Sequence, residues 1–210
     1  LEYLLRRPDP AAANAAANSA EEAAGPQPLV LYLHGAGSKG DIGALINSGL
    51  PRALLERRRP FPFWLLAPVC PAERSGWPAD AVAALLEDVL HSCGADPDRV
   101  YVTGASMGGR GVYELLYDHA HRFAAAAPLC AFGIPTLAPR IANVPLRIYH
   151  GERDDVVPLS YGRAMADALR CAGCDMRFTV LPGAGHGIEQ AVYGNDELWT
   201  WFPTRRRQPK

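Results

Sequence analysis

Between residues 29 and 183 the chain repeats one pattern five times: a short apolar run, a loop, a helical stretch, then another apolar run. "LVLYLH" (29–34) is followed by the glycine-rich "GAGSKGD". "FWLLAPV" (63–69), "DRVYVTG" (98–104), "FAAAAPLC" (123–130), "LRIYHG" (146–151) and "MRFTVLPG" (176–183) are the later runs. Apolar runs without polar alternation are what strands buried on both faces require. The stretches between them carry helical spacing, as at Val82, Leu85, Leu86, Val89 and Leu90. "ALINSGLPRALLERRR" predicts one or two short helices, and "NDELWTWF" a last one with Asn195 as its N-cap. Alternating strands and helices give an α/β fold, a doubly wound, mostly parallel sheet flanked by helices. The loops are short and leave little sequence for a large lid.

With 210 residues, 49% of them apolar, the chain can bury one core. The expected organisation is an N-terminal strand and Ala-rich surface loop over 1–28, one catalytic domain over 29–204, and a basic tail over 205–210. The net charge of −1 argues against a nucleic-acid partner. No apolar stretch reaches the ~18 residues of a membrane span. Five scattered cysteines (Cys70, Cys93, Cys130, Cys171, Cys174) argue against a disulfide framework and for a reducing, cytoplasmic setting. Cys171 and Cys174 have no second Cys/His pair at zinc spacing, so no metal is expected.

In such sheets the ligand site lies beyond the strand C-termini. The third of these strands ends in Gly104-Ala105-Ser106-Met107-Gly108, a G-x-S-x-G between strand and helix. A serine on so sharp a turn has a strained backbone and a hydroxyl held clear of the sheet. Strand and helix then pass so close that positions 104 and 108 must lack side chains. Met107 would open the helix with its N–H free for a developing oxyanion.

The serine needs a base, and the base an orienter. His91, His119 and His121 lie among charged residues on or beside helices, where a surface role is expected. His34 and His150 end strands and are expected to be buried and hydrogen-bonded. His186, in the loop "PGAGHG", is placed to reach a serine at a neighbouring strand tip. The loop after "LRIYHG" offers Glu152, Asp154 and Asp155 as the acid, and the pattern alone leaves the choice open. A second oxyanion donor is expected from the loop after the first core strand, at Ala36 or alternatively Gly37. Gly37 and Trp77 are candidate cleft residues; Trp77 suits packing of helix on sheet equally well.

Taken together, "LYLHGAGSKG", "LLAPVCP", "DPDRVYVTGASMGGRGVYEL", "AAAAPLC", "YHGERDDVVPL" and "FTVLPGAGH" resemble the phospholipase/carboxylesterase branch of the α/β-hydrolases. That branch is related to dienelactone hydrolases, acyl-protein thioesterases and esterase-like peptidases. The resemblance runs from about residue 29 to residue 202. It implies Ser106 as nucleophile, Asp154 as acid and His186 as base, with Ala36 and Met107 as oxyanion donors. The implied activity is hydrolysis of carboxylic esters through an acyl-enzyme, and the short loops, which leave the cleft open, suit short- to medium-chain esters. No cofactor is expected, and the protein is expected to be a monomer or homodimer. Thioesterase, serine peptidase and silent ligand-binding activities are the alternatives. Two features depart from the family: the Ala-rich insertion, and serine where dienelactone hydrolases proper carry a cysteine nucleophile.

Overall fold

The computed structural model describes residues 1–10, 25–57 and 60–207. The expected Ala-rich loop lies mostly outside these residues. Seven strands form one sheet: β1 (Tyr3–Arg6), β2 (Leu29–Leu33), β3 (Trp64–Pro68), β4 (Val100–Ala105), β5 (Ala125–Leu129), β6 (Leu146–Gly151) and β7 (Met176–Leu181). Their spatial order is β1-β3-β2-β4-β5-β6-β7. From β3 to β7 every pairing is parallel; β1 adds an antiparallel edge on β3, Tyr3 opposite Pro68 and Arg6 opposite Leu65.

Helices cover both faces. They are α1 (Ile42–Ile46), α2 (Gly49–Arg57), α3 (Ala79–Cys93), α4 (Met107–His119), α5 (Ala138–Ile141), α6 (Leu159–Cys171), α7 (Glu189–Tyr193) and α8 (Glu197–Trp201). The period of two along a strand splits β2 between two cores. Leu29, Leu31 and Leu33 join Val82 and Leu86 of α3, Val112 and Leu116 of α4, and Met165 and Leu169 of α6. Val30 and Tyr32 join Leu45, Leu50, Tyr193, Trp199 and Phe202 on the other face. The predicted one or two helices over 44–59 resolve into α1 and α2, broken at Asn47–Ser48. At α8 the Asn195 side chain accepts from the Glu197 N–H at 2.9 Å, although Asp196 holds the N-cap position.

The parallel strands point their C-termini to one edge. The turn after β4 and the loops after β2, β6 and β7 therefore meet there, and they carry Ser106, Ala36, Asp154 and His186. Among the described residues no helix is long and apolar enough to cross a membrane.

Candidate active site

Ser106 stands between the last residue of β4 and the first of α4, with φ 57° and ψ −121°. That is glycine's territory, and a side chain there costs on the order of 1–3 kcal/mol. The conformation is held from both sides. The Ser106 N–H donates to Leu129 O of β5 at 2.9 Å, and the Ser106 carbonyl accepts the Arg110 N–H of α4 at 2.9 Å. The neighbouring glycines have the steric reason expected of them. A Cβ on Gly104 would lie 2.5 Å from Leu33 O, and one on Gly108 would overlap that same carbonyl.

Met107 is the first residue of α4, so its N–H has no intrahelical acceptor. Opposite it, residues Ala36–Ser38 form a single 3-10 turn in which Ser38 N–H bonds Gly35 O. The Ala36 and Gly37 N–H groups precede that first bond. Gly35 brings this turn against the elbow: a Cβ there would sit 3.6 Å from Ala105 O and 3.8 Å from the Ser106 Cβ.

His34 anchors the turn from within. It is fully buried; its Nε2 accepts the Cys70 N–H at 3.0 Å, which leaves Nδ1–H to donate to Gly35 O at 2.7 Å. Burial pulls its pKa below the usual histidine value despite the Gly35 contact, so the ring stays neutral. Trp77 belongs to the same support. Its indole N–H donates to His34 O at 3.3 Å, and it packs where Gly111 has no side chain. It is buried and packs helix on sheet, one of its two expected places. Gly37 is exposed, with open space around its Cα.

The three carboxylates after β6 part company. Asp155 is exposed. Glu152 accepts the Gly183 N–H at 2.7 Å and so caps the turn leading to His186. Asp154 is buried, and both its oxygens meet His186 Nδ1, at 2.9 and 3.0 Å. The two loops are stapled together, Glu152 N–H to Leu181 O at 3.0 Å and Arg153 N–H to Ala184 O at 2.8 Å. Gly151 permits this contact, since a Cβ there would strike Gly185 O. Among the described residues no hydrogen bond joins Ser106 Oγ to His186; such contacts commonly tighten only when substrate binds.

Two further residues border Asp154: His150, buried and hydrogen-bonded as its strand-end position predicts, and Cys130. His150 Nε2 lies 2.8 Å from Val157 O and 3.4 Å from Asp154 Oδ2, with the imidazole fully buried. Its Nδ1 faces Gly162 and has no partner, so Nε2 is the nitrogen that donates, to Val157 O. Cys130 has φ 43°, a second left-handed non-glycine residue, and its thiol acts as a donor toward Asp154. Burial above all pushes the Cys130 thiol up to about 12, and the neighbouring carboxylate adds to the shift. Cys130, His150 and Asp154 set one donor atom each within 4.8 Å of one another.

Burial raises the Asp154 pKa, but hydrogen bonds from His186, the Val157 and Val156 N–H groups and Cys130 outweigh it and leave it below the ordinary 3.8. A depressed carboxylate stabilises the fold fully above its unfolded pKa, and that contribution is lost as pH falls through the folded value. Asp154→Asn is therefore expected to be less stable than the parent near neutrality. The gap should shrink steadily between about pH 5 and pH 2. Urea unfolding at a series of pH values measures it; a gap independent of pH would contradict the assignment.

A doubly wound sheet with a strained serine elbow after β4, and a carboxylate–histidine pair on later strand ends, defines the α/β-hydrolase class. The sequence model of the dienelactone hydrolase family matches residues 75–194, more than half of the chain. The chain belongs to the dienelactone hydrolase family. Acyl-protein thioesterase 1 of Gibberella zeae is 38% identical over 52 residues, 25% of this chain and 21% of that protein. Of solved structures, a thermostable esterase shares 26% identity with a TM-score of 0.77, over 98% of this chain and 59% of its own. Esterase PE8 shares 25% identity with a TM-score of 0.66, over 86% of this chain and 93% of its own. The chain thus spans about a fifth of the thioesterase's length and three fifths of the thermostable esterase's.

Proposed function

We propose that the protein is a serine carboxylic-ester hydrolase acting on short- to medium-chain esters. The observation that carries this reading is the Ser106 backbone, held at φ 57° on the sharp turn between β4 and α4. His186 Nε2 takes the Ser106 proton while Asp154, ionised, holds Nδ1–H. Ser106 Oγ attacks the ester carbonyl carbon, and the carbonyl oxygen becomes an oxyanion facing the Ala36 and Met107 N–H groups. The carbon–oxygen bond to the alcohol breaks as imidazolium His186 returns the proton to the leaving oxygen. Water then attacks the acyl-enzyme, with His186 again as base, and frees the acid and Ser106. No step calls for a cofactor.

A two-step path through an acyl-enzyme gives a kinetic mark. Mixing enzyme with excess nitrophenyl butyrate is expected to release a burst of nitrophenol of about one equivalent per Ser106, before a slower steady state, wherever deacylation is the slower step. Burst-free turnover combined with failure to trap an acylated Ser106 by acid quench and mass spectrometry would exclude the acyl-enzyme.

The 52-residue match to an acyl-protein thioesterase favours one second reading, a thioester substrate. The chemistry differs only in the leaving atom. Comparing kcat/KM for an oxoester and a thioester of the same acid separates the two.

A further inference from the structure

Among the described residues seven large apolar side chains stand exposed. Leu1, Tyr3 and Leu55 belong to the β1 and α2 edge of the sheet. The other four, Phe132, Ile134, Val156 and Tyr161, come from the segments that follow β5 and β6. β5 lies beside β4 in the sheet and β6 beside β5. The first segment packs on the opening turn of α4, next to Ser106, and the second carries Asp154.

The backbone under these side chains is fixed. Ala131 fills the space left by Gly109 in the first turn of α4; a Cβ on Gly109 would come within 2.7 Å of the Ala131 Cβ. The Ile134 N–H donates to the Tyr117 hydroxyl at 2.6 Å, and Gly133 lies against Met165 of α6. The Val156 N–H donates to Asp154 Oδ1 at 3.0 Å. Even so, Phe132 remains 40% exposed and Tyr161 56% exposed. Their rings face each other at 6.0 Å and 50°. The Arg110 guanidinium, ion-paired to Glu114, lies 5.5 Å from the Phe132 ring. An apolar surface that is rigidly presented beside a reactive group and unused by the core marks a binding surface.

Resting on the reading of Ser106 as nucleophile, we propose that Phe132 and Tyr161, with Ile134 and Val156, form an apolar subsite for the acyl chain of the ester. The acyl group is the part of the substrate that stays bonded to Ser106 through both steps. Phe132 lies against Arg110 in the first turn of the helix that follows Ser106, which places it beside an acyl group bonded there. The two rings supply mainly flat apolar area, with the Tyr161 hydroxyl their one hydrogen-bonding group. The subsite therefore selects by length and apolarity, favouring unbranched or aryl acids over acetate.

The test is kcat/KM for nitrophenyl acetate, butyrate and octanoate in the parent, Phe132→Ala, Phe132→Leu, Tyr161→Ala and, as a remote control, Leu55→Ala. Both alanine variants are expected to lose about tenfold on octanoate and less than about twofold on acetate, the size of effect that apolar contacts give in specificity. Phe132→Leu should recover most of the loss, and Leu55→Ala should follow the parent at every length. An equal loss at all three lengths, or no loss at any, overturns the proposal. So does a response confined to acetate esters of alcohols of increasing length, since the surface would then hold the alcohol. Fluorophosphonate labelling of Ser106 in each variant keeps the two readings apart. Labelled variants without length dependence sink the subsite alone; an unlabelled parent sinks the nucleophile itself.

Discussion

Ser106→Ala is expected to lower ester turnover by about 10⁴-fold or more, since removing one member of a coupled triad disables the unit. The fold should survive. Among the described residues the Ser106 hydroxyl takes part in no hydrogen bond, while the bonds that shape the turn use its N–H and carbonyl. Ser106→Gly should be equally inactive yet more stable than Ser106→Ala. Glycine adopts φ 57° and ψ −121° without the 1–3 kcal/mol that a Cβ costs there. Its larger unfolded-state entropy offsets about 0.5–1 kcal/mol of that gain. Thermal unfolding of the two variants beside nitrophenyl butyrate turnover separates a chemical defect from a structural one. An alanine variant within tenfold of the parent would remove Ser106 from the mechanism.

Gly108→Ala is expected to be among the most damaging single substitutions in the chain. The added methyl would fall on the Leu33 carbonyl and within 2.8 Å of the His34 carbonyl. Both belong to backbone that the sheet and the oxyanion turn hold in place, so neither can give way as a flexible side chain would. Overpacking of well-packed interiors costs 1–3 kcal/mol and at times more. With backbone on the receiving side, about 3 kcal/mol is expected. For a chain of this size that lowers Tm by roughly 6–12 °C. Activity should fall further than stability, because the strain is relieved by moving Ser106 or Ala36. Gly37→Ala is the contrast: nothing lies within 4 Å of the added methyl, so Tm should stay within experimental scatter. Equal effects at the two glycines would contradict the steric account.

These two residues also show what a sequence can disclose. Gly104 and Gly108 were legible because G-x-S-x-G encodes a close approach, and the structure meets that need with Leu33 O. The core strands were legible because burial on both faces leaves no polar positions to interrupt them. The orientation of β1 was not, since its partner β3 lies some sixty residues on and β1 is only four residues long. α5 and α7, of four and five residues, hold too few turns for a helical period to register. Among the acidic residues after β6, the pattern left Asp154 and Asp155 open, and only the family resemblance favoured Asp154. Burial separates them in the fold, with Asp154 against His186 and Asp155 in solvent. His150 and Cys130 escaped notice as partners of that carboxylate because nothing local signals them. A cysteine with φ 43° carries no glycine to advertise its turn, and the His150–Asp154 contact depends on how the loop folds back on the strand end. Trp77 looked as fit for the cleft as for the core; in the fold it is buried and bonds His34 O.

The Asp154 support makes the pair with His186 a rigid unit, since its carboxylate also takes N–H bonds from Val156 and Val157 at 3.0 and 2.8 Å. In the mechanism we propose, Ser106 is the group whose reactivity that unit creates. Its activation is therefore read most directly at its own oxygen. Treating the parent protein with a fluorophosphonate, then mapping the adduct by peptide mass spectrometry, is the deciding measurement. The account expects one phosphonyl group per chain, carried on Ser106, formed by the folded protein and absent from Ser106→Ala and His186→Ala. Modification elsewhere, or an unreactive Ser106 in protein that still hydrolyses nitrophenyl butyrate, would contradict it.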